Sequence, residues 1–200
     1  KPLEALVGAT LGEGKNLYRV AKEAYAAGVA AAPRDETRLR WAVAIFERCA
    51  RKGEVKALVA LAKLHLEGAG VPPSEGKATS LLQRAAQLGS AAAAWGLARL
   101  YWEKHHELLK VRAREIASAR SRATRHHHLT PDLTPRIPPF PQAYEWFSIA
   151  EALQCAERPP FEQLAECLGA RAVATAERRA QRWLKAHSDS KRTPVAAEAI

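Results

Sequence analysis

Residues 54–89 read EVKALVALAKLHLEGAGVPPSEGKATSLLQRAAQLG. Ala57, Leu61, Leu64 and His65 fall at i, i+4, i+7 and i+8, one stripe of an α-helix. Ala78, Leu81, Leu82, Ala85 and Ala86 form a second stripe of the same period. Between the stripes stands Gly68-Ala69-Gly70-Val71-Pro72-Pro73-Ser74-Glu75-Gly76. The glycines suit a helix end, and the two prolines cannot continue a helix. Ser74 suits an N-cap for the second helix, and Gly89 suits its stop. The spacing predicts a helix, a nine-residue turn and an antiparallel helix.

The unit recurs. Shifted by 36 positions, Cys49-Ala50 falls on Ala85-Ala86, Gly53 on Gly89, Ala57 on Ala93, Leu61 on Leu97, Ala62 on Ala98, Leu64 on Leu100 and Glu67 on Glu103. Ala42, Ile45 and Phe46 meet Ala78, Leu81 and Leu82, and Ala57, Leu61 and Ala62 meet Ala21, Tyr25 and Ala26. A fixed period of this length marks a repeat array. One helix pair cannot bury both of its apolar stripes, so neighbouring pairs are expected to stack into a short solenoid. The composition agrees. Of 200 residues 42 are alanine, the best helix former and a residue that lets helices approach closely. With 48% hydrophobic and 26% charged residues, the chain reads as globular, with room for one domain or two small ones. No stretch is apolar enough for a membrane span.

The motif over residues 54–89, namely Ala57, Leu61-Ala62, Leu64-His65, Gly68-Ala69-Gly70-Val71, Glu75, Lys77-Ala78, Leu81, Ala85-Ala86 and Gly89, resembles the Sel-one-like repeat, a relative of the tetratricopeptide repeat. Ala62 stands where that family has Gly, and His65 where it has Tyr. The resemblance extends over 33–53 and 90–103, thins over 1–30 and fails over 104–140. It implies an all-α fold, a short right-handed α-solenoid of antiparallel helix pairs. Repeats are expected at about 17–53, 54–89 and 90–154, the last carrying a helical, Pro-rich insertion at 104–140. After the insertion, Ala143 corresponds to Ala78, 65 positions on instead of 36. Residues 161–187 resemble the closing helices that cap such arrays, which makes 1–187 a single repeat domain and 188–200 a loose tail.

The insertion is expected to begin as helix from His105 to about Arg125, then to run extended through the five prolines of 129–141 as a strap along the surface. The bland alternative is a simple wall strap, the sharper one a strap that shapes a groove. Five of the seven histidines lie here: His105, His106, His126, His127 and His128. Consecutive histidines do not point to one side of a helix, and no H-E-x-x-H motif is present, so exposed polar histidines are expected rather than a metal site. Cys49 takes the place of a repeat alanine and reads as a small core residue. Cys155 and Cys167 flank Arg158-Pro159-Pro160 and are candidates for a disulfide across a helical hairpin, free thiols being the alternative. The resemblance bears on this choice: family members staple helix pairs, usually with a cysteine pair in each repeat, and that pattern is absent.

No G-x-S-x-G, P-loop or G-x-G-x-x-G motif occurs, so neither an enzyme nor a cofactor is expected, and the β-lactam chemistry associated with some family members has no serine motif here to carry it. The net charge is +10, with the excess concentrated in 104–136 and 171–192, whereas 137–170 is acidic. Such a balance attracts anionic partners. First helices are expected to line a concave surface presenting Arg19, Lys22, Lys56, Lys63, Trp95, Arg99 and Trp102. Arg and Trp are common interface anchors. The alternative is that Trp95 and Trp102 pack beneath the strap or into the next repeat. The function expected is a non-enzymatic protein–protein interaction module, an adaptor, assembly factor or inhibitor, that holds an acidic protein or peptide. The alternatives are a hydrolase built on the insertion's histidines and a polyanion or nucleic-acid binder, although no nucleic-acid recognition grammar accompanies the charge. The family's habits and the Met-free start at Lys1 suggest a bacterial exported chain, periplasmic or secreted.

Overall fold

The computed structural model describes residues 17–31, 35–123, 141–157 and 159–187. Among these residues the fold is all-helical, with no strand: α1 (Leu17–Ala30), α2 (Glu36–Arg51), α3 (Val55–Glu67), α4 (Glu75–Gln87), α5 (Ala91–Ala123), α6 (Pro141–Ala152), α7 (Phe161–Leu168) and α8 (Ala170–Ala186). They form two compact units whose boundary falls within α5, between Ala94 and Trp95.

In the first unit α1 packs on α2, α2 on α3 and α3 on α4. Asp35 caps α2, its Oδ1 accepting from the backbone N–H of Thr37 and of Arg38, each at 3.1 Å. The apolar stripe of α2 (Leu39, Ala42, Val43, Ile45, Phe46, Cys49 and Ala50) is buried, and Tyr18 of α1 meets Phe46 edge-on at 5.7 Å. The stripes expected on 54–89 are likewise buried: Ala57, Leu61, Leu64 and His65 on α3, and Ala78, Leu82, Ala85 and Ala86 on α4, with Leu81 half-buried.

The turn between α3 and α4 is shorter than its composition suggests. Ser74 Oγ accepts from the Lys77 N–H at 3.5 Å, so Glu75 and Gly76 are already helical and seven residues connect the pair rather than nine. An acidic residue in the first turn also complements the helix dipole. Gly68 ends α3 at φ +65°. Gly70, at φ +72°, lies directly against α2: a Cβ there would stand 2.6 Å from the Leu39 carbonyl carbon and 2.7 Å from the Arg40 nitrogen. Ala69 is fully buried beside it. The Gly-x-Gly turn therefore packs backbone to backbone on α2, the second helix of the preceding pair.

Second-helix ends repeat their hydrogen bonds at the spacing seen in the sequence. After α2, the Gly53 N–H donates to the Ala50 carbonyl and the Glu54 N–H to that of Cys49. After α4, the Gly89 N–H donates to the Ala86 carbonyl and the Ser90 N–H to that of Ala85, 36 positions on. After α6, the Gln154 N–H donates to the Glu151 carbonyl and the Cys155 N–H to that of Ala150, 65 positions beyond the α4 set. Gly53, Gly89 and Gln154 all sit at positive φ, of +83°, +86° and +63°. This is the helix stop that satisfies orphan carbonyls.

In the second unit α6 packs mainly on α8, with α7 against both. Trp146 meets Trp183 edge-on at 5.6 Å, and Tyr144 meets Phe161 at 5.1 Å. The second helix implied by the Ala143–Ala78 correspondence and the helices expected within 161–187 are thus present as α6, α7 and α8. The insertion begins as helix, as expected, and does so as a direct continuation of α5 to Ala123. Residues 124–140, with the proline strap and His126, His127 and His128, lie outside the described residues, as does the tail 188–200.

Candidate functional site

Four of the expected contact residues lie in the first unit. Arg19 and Lys22 stand one turn apart on α1, and Lys56 and Lys63 two turns apart on α3. Arg19 Nε lies 3.6 Å from Glu23 Oε1, with both side chains well exposed. Lys63 Nζ lies 3.9 Å from Glu67 Oε1, and the Tyr25 hydroxyl donates to Glu67 Oε2 at 2.7 Å. Glu67 thereby joins α1 and α3 and brings Lys63 beside Tyr25. Lys22 and Lys56 are exposed.

The other three lie in the second unit, on one stripe of α5. Arg99 Nε is 3.3 Å from Glu103 Oε1, with both side chains exposed. Trp102 is half-buried, with the His106 ring edge-on at 4.2 Å. Trp95 is also half-buried and packs on the buried Phe147 of α6 at 4.8 Å. Trp95 therefore uses its ring area within the unit, whereas Trp102 lies beside His106 and stacks at 6.2 Å on His105 of its own helix.

The paired cations remain usable. Exposed i, i+4 ion pairs contribute only about 0–1 kcal/mol, so a partner carboxylate can displace the intrahelical one at small cost. Arg99–Glu103 repeats Lys63–Glu67 at the 36-residue spacing.

His105 departs from the sequence expectation of an exposed histidine. It is 6% exposed, on the buried side of α5, while His106 is exposed. Burial lowers the His105 pKa below its ordinary 6.5, and the neighbouring His106 adds to the shift. His65 is also buried, and its Nδ1 has no hydrogen-bond partner among the described residues. Among the described residues no three His, Cys, Asp or Glu side chains gather as a metal site. No helix there is long and apolar enough to cross a membrane.

Cys49 is buried, and burial together with Glu54 pushes its thiol pKa up. Cys155 is half-buried with a free thiol, and the Cys167 side chain lies outside those described.

One surface feature escaped the sequence reading. A cleft of about 220 Å³ opens over α3 between α2 and α4. Its lining comprises Ala50, Leu58, Leu61 and Leu81, with Glu47, Arg51 and Arg84 as its charged members. Arg51 and Arg84 are 33 positions apart on second helices, and only the packing of α2 and α4 about α3 makes them neighbours. The available signal was that Arg48 and Arg84, not Arg51 and Arg84, align at the 36-residue shift, so Arg51 is additional to the repeat pattern.

A scan against protein-family models finds no match to this chain, and neither the curated proteins nor the solved structures contain one.

Proposed function

We propose that the chain is a non-enzymatic protein-binding module, a short right-handed α-solenoid of Sel-one-like character that holds an acidic protein or peptide through the face carrying Arg19, Lys22, Lys56 and Lys63 in the first unit, and through Arg99 and Trp102 in the second. The observation that carries this reading is the recurrence of one helix stop after α2, α4 and α6 at the spacing of the sequence repeat. Equal helix pairs with equal stops favour side-by-side stacking, and stacked pairs present the same helix face repeatedly. The mechanism is surface complementarity on a rigid scaffold, with the positive charge raising the rate of encounter. A periplasmic or secreted setting belongs to the same proposal.

The test is affinity capture with the full chain, followed by mass spectrometry. One dominant acidic partner is expected. Its capture should weaken at least about tenfold in the Arg99→Ala/Trp102→Ala double variant, since interface anchors of these types carry most of the binding energy. Unchanged affinity in that variant removes Arg99 and Trp102 from the reading. Indiscriminate capture of nucleic acid with steep salt dependence would support a polyanion binder instead.

A further inference from the structure

The cleft over α3 lies apart from the face just proposed. Lys56 and Lys63 are two turns apart on one stripe of α3, and Leu58 and Leu61 fall on the opposite stripe at 100° per residue. The cleft is lined by Leu58 and Leu61 together with Ala50, Leu81, Glu47, Arg51 and Arg84.

Three features define what it fits. Its floor is apolar, since Leu58 is fully buried and Leu61 and Ala50 are each 5% exposed, with the half-buried Leu81 at one side. Its volume, about 220 Å³, falls below the roughly 300–1,000 Å³ of pockets that enclose whole small ligands. That space suits a single large side chain. Its rim carries Arg51 and Arg84, both exposed and with no ion pair among the described residues, facing one carboxylate, Glu47. A guanidinium unpaired among the described residues is a donor fork that matches a carboxylate from outside.

We propose that this cleft docks an acidic peptide segment carrying one large apolar side chain, the side chain seated over Leu58, Leu61 and Leu81 and flanking carboxylates bound by Arg51 and Arg84. Glu47 opposes the same carboxylates and restricts where they lie. The site is independent of the lysine-bearing face and does not rest on the solenoid.

The test is fluorescence anisotropy with the full chain and a labelled peptide that presents one phenylalanine between paired glutamates, set in glycine–serine spacers. Saturable binding is expected. It should weaken about tenfold when the phenylalanine is replaced by alanine, the order expected for burying such a side chain. It should be lost when the glutamates are replaced by lysines, a comparison that needs no variant protein. Arg51→Gln/Arg84→Gln should weaken binding severalfold and Glu47→Gln should tighten it about twofold, in keeping with charge pairing at a partly exposed rim. Lys56→Gln/Lys63→Gln should leave it unchanged, which separates this site from the face proposed above. The proposal is overturned if no saturable binding occurs at millimolar peptide, if the phenylalanine-free or lysine-flanked peptide binds equally well, or if the double arginine variant binds as the parent does.

Discussion

Gly70→Ala puts a methyl group where the backbone of another helix already lies. The new Cβ would stand 2.6 Å from the Leu39 carbonyl carbon and 2.7 Å from the Arg40 nitrogen. These are main-chain atoms in the first turns of α2 and cannot rotate away. Gly70 also sits at φ +72°, a conformation that costs an L-residue about 1–2 kcal/mol. Forcing an extra methyl into close packing adds about 1–3 kcal/mol. The expected loss is their sum, about 2–5 kcal/mol, a large share of the roughly 5–15 kcal/mol that holds a domain folded. Urea unfolding followed by far-UV circular dichroism measures it. With a slope of about 1–3 kcal/mol per molar urea, the midpoint should fall by one to several molar. Gly53→Ala is the control, because Gly53 has φ +83° and, among the described residues, no atom beyond its chain neighbours lies within 4 Å of its Cβ position. It should cost only the conformational part, about 1–2 kcal/mol. Gly76→Ala, inside α4 with open space, should stabilise by about 0.5–1 kcal/mol. If Gly70→Ala costs no more than Gly53→Ala, the turn does not pack on α2 as described.

Gln154→Gly relieves a positive φ of +63° at the stop after α6 and should stabilise by about 0.5–1 kcal/mol, read as a rise in the urea midpoint. Cys49, buried and with a raised pKa, should resist alkylation at neutral pH in the native protein and react only on unfolding, as mass spectrometry after timed iodoacetamide exposure would show. Counting reactive thiols in denaturant checks the free Cys155: three thiols are expected, and fewer would show a bridge to Cys167. His105 has a folded pKa below 6.5, so the unfolded chain takes up the proton first. Its contribution is then intact above about pH 6.5 and lost as pH falls through the folded pKa. Denaturant midpoints at pH 7.5 and 5.5 should therefore differ more in the parent than in His105→Leu.

The helices were legible because burial and period coincide: Ala57, Leu61 and Leu64 are spaced as a stripe and are buried as one. The helix stops were legible at Gly53 and Gly89, where residue type states the backbone conformation. Gln154 carries no such signal, and only its register to Gly89 points to a positive φ. The length of the 68–76 turn was misjudged because composition marks Gly76 as a turn residue, whereas the Ser74 cap places it in the helix. His105 was misjudged for a related reason. Histidine in a basic run reads as exposed, but the α5 phase set by Leu97 and Ala98 returns position 105 to the buried side. The cleft was illegible because its two arginines become neighbours only after α2 and α4 pack around α3. The contact between Gly70 and Leu39 was hidden likewise, since the chain gives the glycine but not the helix it approaches.

Deletion of residues 54–89 tests the repeat most directly. It joins Gly53 to Ser90, two positions that occupy consecutive places in equivalent stops. If helix pairs stack as interchangeable units, the shortened chain remains helical and unfolds in one cooperative urea transition, at a lower midpoint because one inter-unit interface is lost. A shortened chain that is largely unfolded, or that loses its helix gradually without a transition, would contradict stacking and the binding surface built on it.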